Sequence, residues 1–184
     1  MCYRWQGRYS FANQPNSALW NLSRLALTLR NLIGAQTKAA EPDVSAENRD
    51  AESLGADTAA EILWRFEPMF MTAFARRMRE KLGLLSEEPS DLDDVVAPLL
   101  NVLSAGKIDY SRFFRRLSSF DPFAASPRQL LDAVSPSPPD AEQAAAFEAW
   151  AEAYKARIGR DSGGKNPAER EARMKKVNPK FVLT

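Results

Sequence analysis

Apolar residues in this chain recur at steps of three and four, in one segment after another, without the strict alternation of a half-buried strand. That spacing stacks apolar side chains on one face of a helix. The sequence therefore predicts an all-α fold. The first stretch runs from about Asn16 to Ile33, with Ala18, Leu22, Leu25, Leu29 and Leu32 in one stripe. Leu19, Trp20, Ala26 and Ile33 widen it, which predicts burial on more than one side. Gly34 reads as the C-terminal stop.

Residues Ala35 to Asp57 carry six acidic residues against two basic ones and no aromatic residue. Such a segment cannot bury enough apolar surface to offset its ordering, so residues 35–57 are expected to form an acidic, disordered loop. A second helical stretch follows from Thr58 to Leu82, broken or kinked at Pro68 and ended by Gly83. Its later turns carry Phe70, Phe74, Met78 and Leu82 at steps of four, and Arg76, Arg77, Arg79 and Lys81 on other faces.

A third helix is expected from Asp91 to Ser104, capped by Ser90 or Asp91, and a fourth after Gly106, with Asp109 as N-cap before Tyr110, Phe113, Phe114 and Leu117. Residues 121–140 are a Pro/Ser-rich connection. One short helix starts there at Ser126-Pro127-Arg128-Gln129, whose serine and glutamine suit a capping box. Ala141 to Ile158 is the clearest helix, with Phe147, Trp150, Tyr154 and Ile158 on an alanine-rich background. After a break at Asp161-Ser162-Gly163-Gly164, the box Asn166-Pro167-Ala168-Glu169 restarts a helix. It should stop near Val177, because Pro179 disfavours a helical Asn178. Residues 1–184 read as a single helical region. Trp20, Leu22, Leu25, Phe74, Met78, Phe113, Phe114, Phe147, Trp150 and Tyr154 are its expected core.

Composition removes several chemistries. The 184 residues contain no histidine, which excludes His-based acid–base catalysis and His-ligated metals. The single cysteine, Cys2, excludes an internal disulfide and a Cys-cluster zinc site, and the chain reads as intracellular. Twenty-five basic against 24 acidic residues give a net charge of +1, no argument for nucleic acid or an acidic membrane. No apolar run approaches the roughly 20 residues of a membrane span, and the start MCYRWQGRYS is not a secretory signal.

No constellation carries a reaction by itself. Gly163-Gly164-Lys165 is too short for a phosphate loop and reads as a linker. Asp91, Asp93 and Asp94 read as negative charge at a helix N-terminus, with metal binding as the alternative. Cys2 has only Arg4 nearby to activate it and reads as incidental. The run Arg76 to Lys81 reads as a solvated helix end rather than a phosphate cradle. The tail Lys155 to Thr184 holds nine basic and three acidic residues, a solvated face with polyanion contact as a weaker alternative. Phe147, Trp150 and Tyr154 read as core packing.

Several strings go further. Gly7-Arg8-Tyr9-Ser10-Phe11-Ala12-Asn13-Gln14-Pro15, followed by Trp20-Asn21-Leu22-Ser23-Arg24-Leu25, resembles the selenoprotein O family of YdiU-like proteins. So do Met78 to Leu84, Asp109 to Ser118, Trp150 to Ile158, and Ala172 to Leu183 with its Asn178-Pro179-Lys180-Phe181-Val182-Leu183. They follow the family's order and cover most of the chain outside the acidic segment.

The resemblance implies the helical C-terminal portion of a protein-kinase-like fold. It also implies transfer of AMP from ATP to Ser, Thr or Tyr hydroxyls of proteins, with Mg or Mn. In the family the glycine-rich loop, phosphate-binding lysine and arginines, catalytic aspartate and metal ligands lie before the string that starts here at Gly7. No catalytic, cofactor-binding or metal-binding residue is therefore assigned. The chain looks like an internal or truncated piece, expected to be inactive alone and to need no cofactor itself. Arg8, Arg24, Arg112 and Arg115 lie in the resembling strings, as supports for an active lobe or as ordinary surface charge. Implied partners are protein substrates and the missing catalytic lobe, with no nucleic acid and no membrane. The implied compartment is mitochondrial in a eukaryote and cytoplasmic in a bacterium. The alternative reading is a non-enzymatic helical interaction module or gene remnant. If the partner lobe is missing, some apolar faces should be exposed.

Overall fold

The computed structural model describes residues 13–40, 50–161 and 166–179, and among them no strand occurs. The all-α expectation holds. The sequence drew residues 1–184 as one helical region; the contacts gather into two compact units, Met1–Ala73 and Phe74–Thr184.

The first unit is built on two long helices, α1 (Gln14–Ala40) and α2 (Ala51–Trp64). α1 runs through Gly34, so the expected stop is not one. A Cβ on Gly34 would overlap the Ala51 carbonyl, and one on Gly55 would overlap the Arg30 carbonyl. The two glycines are there so that the helix backbones can touch. Thr37 and Thr58 face each other across the same seam, hydroxyl to hydroxyl at 3.4 Å, and Arg30 pairs with Glu52 at 2.5 Å.

That seam corrects two expectations. The expected acidic loop 35–57 is helical over residues 35–40 and 51–57, while 41–49 lie outside the described residues. Two of its acidic residues serve the helix start: Asp50 caps α2, accepting from the Ser53 amide at 2.7 Å and hydroxyl at 2.9 Å, and Glu52 sits in the first turn. Trp20, Leu22 and Leu25, expected in the core, are 45%, 41% and 54% exposed. A seam of glycine, alanine and hydroxyl side chains has no room for them, and they point elsewhere.

α2 ends at Trp64, and α3 (Phe66–Leu82) begins two residues later. Pro68 thus falls in a first turn, where the amide it lacks has no partner to lose. The boundary between the units lies within α3.

The second unit holds the main core. A π-helical turn (Asp91–Val96) leads into α4 (Ala97–Ala105), followed by α5 (Tyr110–Leu117), α6 (Pro127–Val134), α7 (Ala141–Arg160) and α8 (Pro167–Val177). The wide turn has a local cause. Pro98 has no amide to give the Asp94 carbonyl, and the Ala97 amide bonds Leu92 five residues back. Met78, Phe113, Phe114, Phe147, Trp150 and Tyr154 are all buried, as expected, and Phe74 packs half-buried against them. Phe113 meets Phe147 and Trp150 edge-on, and Trp150 stacks on Tyr154 at 5.2 Å between centroids.

Caps follow the sequence in part. Asp109 accepts from the Arg112 amide at 2.6 Å. Asn166 accepts from the Ala168 and Glu169 amides, and its side-chain amide donates to the Glu169 carboxylate. Ser126 stands at the N-cap of α6 with no side-chain bond there, so that expected box is not made.

Candidate functional site

The densest polar arrangement among the described residues lies where the C-terminal end of α7 meets the segment between α3 and the π-helical turn. Arg157 follows Tyr154 by three residues, which puts it on the core face of α7. It is 1% exposed. Its Nε donates to Asp91 Oδ1 at 2.5 Å and its Nη2 to Asp91 Oδ2 at 3.2 Å, a forked pair with both members buried. The same Nη2 donates to the Ser86 carbonyl at 2.8 Å, and Nη1 lies 3.4 Å from Glu88.

One turn on, Asp161 is fully buried and accepts from the Leu85 amide at 2.7 Å and from the Ser86 amide and hydroxyl at 3.1 and 2.8 Å. Burial alone pushes its carboxyl up; the donated bonds outweigh that and hold it below its ordinary value of 3.8. The Arg160 fork holds the Glu88 carboxyl below its ordinary 4.5. Tyr154, above this cluster, donates its hydroxyl to the Leu82 carbonyl at 2.7 Å, and burial pushes its phenol well up.

A second polar cluster closes the other side of the core. Asn178, buried, donates to the Lys81 carbonyl at 2.9 Å and to the Ser118 hydroxyl at 3.2 Å. Lys81 returns a bond to Asn178 Oδ1 at 3.2 Å and sits over the Tyr110 and Phe114 rings. Arg115 donates to the Asn178 carbonyl at 3.1 Å, and the buried Arg170 donates to the Phe120 carbonyl at 2.7 Å. Gly83, at φ 75°, turns the chain beneath α8, where a Cβ would strike Met174 and Arg170.

These clusters place the sequence candidates. The three aspartates do not converge: Asp91 is buried on Arg157, while Asp93 and Asp94 are exposed. Arg112 donates to the Ala133 carbonyl at 2.7 Å, and Arg24 lies over the Trp20 ring. Arg77 pairs with Glu80 and Arg79 with Glu87, so the run 76–81 is not gathered into a cradle. In the basic tail Arg157 and Arg170 face inward, and Lys175 pairs with Glu171. Arg8, Cys2 and Gly163-Gly164-Lys165 lie outside the described residues.

Missed by sequence reasoning were Arg157, Asp161 and Asn178 as buried polar anchors. The signal for Arg157 was its place on the Phe147, Trp150, Tyr154 stripe. Both Asp91 oxygens are spent on Arg157 and the Glu88 amide, and no group of three or more His, Cys, Asp or Glu converges among the described residues.

Comparison with known proteins shows what kind of molecule this packing belongs to. The family model for the protein adenylyltransferase SelO matches residues 3–184. The protein nucleotidyltransferase YdiU of Pseudomonas fluorescens (strain SBW25) is 35% identical over 178 residues, 97% of this chain and 30% of the relative. The YdiU of Klebsiella pneumoniae subsp. pneumoniae is 36% identical over 179 residues, 97% of this chain and 31% of that protein. The YdiU of Myxococcus xanthus is 33% identical over 178 residues, with 97% and 30% covered. The chain belongs to the SelO family of protein adenylyltransferases. It spans about 30% of the length of the curated relatives it matches. No described helix is long and apolar enough to cross a membrane.

Proposed function

We propose that this chain supplies the helical bracing of a SelO-type protein adenylyltransferase, the part against which a nucleotide-binding lobe is held, and that it transfers no AMP by itself. The whole protein's reaction is AMP transfer from ATP to Ser, Thr or Tyr hydroxyls of protein substrates, with Mg or Mn. The compartment is intracellular: cytoplasmic in a bacterium, mitochondrial in a eukaryote.

The observation that carries the reading is how the charged and amide side chains of the resembling strings are spent. Arg157 is consumed by Asp91 and the Ser86 carbonyl, Asn178 by Lys81 and Ser118, Arg115 by the Asn178 carbonyl, and Arg112 by the Ala133 carbonyl. Nucleotidyl transfer needs cationic donors and metal ligands aimed at a phosphate. Here these four side chains are aimed at backbone carbonyls and at one another, which fixes a scaffold.

A calorimetric titration of the chain with ATP and Mg²⁺ tests this. No saturable binding is expected. Tight, stoichiometric binding would overturn the proposal. The runner-up, a helical interaction module with no enzymatic partner, draws on the exposed apolar residues of α1.

A further inference from the structure

α1 carries two stripes of opposite kind. Toward α2 it presents Gly34 and Thr37, small residues that let the backbones touch. Ala18, Leu22, Leu25, Leu29 and Leu32 follow the strict four-three-four-three spacing of a helix-packing seam, and the four leucines are 41%, 54%, 38% and 70% exposed. The positions flanking that seam, Leu19, Asn21, Ala26, Thr28, Ile33 and Ala35, hold no charge. A solvent-facing helix carries charge there; this one is built for an apolar neighbour on both sides. An uncovered row of this kind on a stable protein marks a contact surface.

The occupant follows from what else is present. The second unit closes its own core, with Leu82, Leu99, Phe113, Phe147 and Ile158 at 0% exposure. The first does not. The relatives match 97% of this chain, but the matched part is about 30% of their length.

We propose that the leucine face of α1 is the docking surface for the remaining part of a family-length protein, through an apolar helix face. The proposal rests on the bracing role above and names its partner surface. The seam offers knobs at each leucine, and its uncharged flanks suit an apolar neighbour on both sides.

Covalent surface labelling of side chains, followed by peptide mass analysis, tests it on two proteins that exist intact: this chain at high dilution and the full-length P. fluorescens relative. The expected result is strong labelling across residues 18–32 here and loss of labelling in the aligned segment of the relative. Equal labelling in the two overturns the proposal. So does protection here that scales with concentration, because a second copy would then be the occupant. A second readout uses Leu25→Asp with Leu29→Asp. In this chain the pair leaves helix content unchanged, since neither side chain lies in the α2 seam. At the aligned positions of the relative it lowers the melting temperature by several degrees. An unchanged melting temperature there contradicts the proposal. Neither measurement reads ATP binding, so a failure here is separable from a failure of the bracing role.

Discussion

Arg157 and Asp91 stand 66 residues apart in sequence and form a buried forked ion pair, Nε to Oδ1 at 2.5 Å, with side chains 1% and 3% exposed. The pair fastens the end of α7 to the start of the π-helical turn. Removing one partner strands the other charge in the interior, which costs about 3–5 kcal/mol. Asp91→Ala is expected to lose stability on that scale in urea denaturation. Asp91→Leu combined with Arg157→Met is expected to lose much less than the two single changes summed, because no lone charge remains.

The second carboxylate gives a pH dependence. Asp161 and Glu88 both titrate below their ordinary values of 3.8 and 4.5 in the folded chain. A depressed folded-state value contributes stability that is present above the unfolded value and is lost as pH falls through the folded one. Urea midpoints should therefore be flat near neutrality and fall in the acid range below those ordinary values. Asp161→Asn should be less stable than the wild type at neutral pH, and the two curves should converge in acid. Parallel curves throughout would contradict the role given to Asp161.

Trp150 joins packing and hydrogen bonding. It is 2% exposed, and its indole Nε1 donates to the Val95 carbonyl at 3.0 Å, at the π-helical turn. Trp150→Ala should cost about 3–5 kcal/mol. Trp150→Phe keeps most of the ring but leaves that carbonyl without its donor, for an expected cost of about 1–3 kcal/mol. A loss below about 1 kcal/mol for the alanine variant would place Trp150 outside the core.

The glycine seam is testable separately. Gly55→Val puts its Cβ onto the Arg30 carbonyl, and overpacking costs about 1–3 kcal/mol. Amide exchange should quicken across α1 and α2 while α5 and α7 keep their protection. Unchanged exchange in α1 would show that the close approach at Gly34 and Gly55 is dispensable.

Much of the second unit was legible because its helices obey local rules. Phe147, Trp150 and Tyr154 are spaced for one helix face, and Asp109 and Asn166 cap where their neighbours predict. The first unit was misread for a physical reason. Gly34 looks like a stop when the helix is taken alone, and becomes an interior residue once Gly55 lies against it. The burial of Leu22 and Leu25 was inferred from their spacing, yet spacing tells which residues share a face and not which face is covered. The acidic segment was read by composition, while Asp50 and Glu52 spend their charge on a helix start and on Arg30. The buried anchors were hidden because Arg157 and Asn178 are residue types that usually face water. Only partners as distant as Asp91 and Lys81 make their burial tolerable.

If the polar residues of this chain only hold a scaffold, the chain does no nucleotidyl transfer by itself. Incubating the purified chain with α-labelled ATP, Mg²⁺ or Mn²⁺ and a generic acceptor protein, beside a full-length relative, measures that directly. Labelled acceptor is expected only with the relative. Robust AMP transfer by this chain alone would contradict this and turn attention to Asp93 and Asp94, the exposed carboxylates beside the π-helical turn.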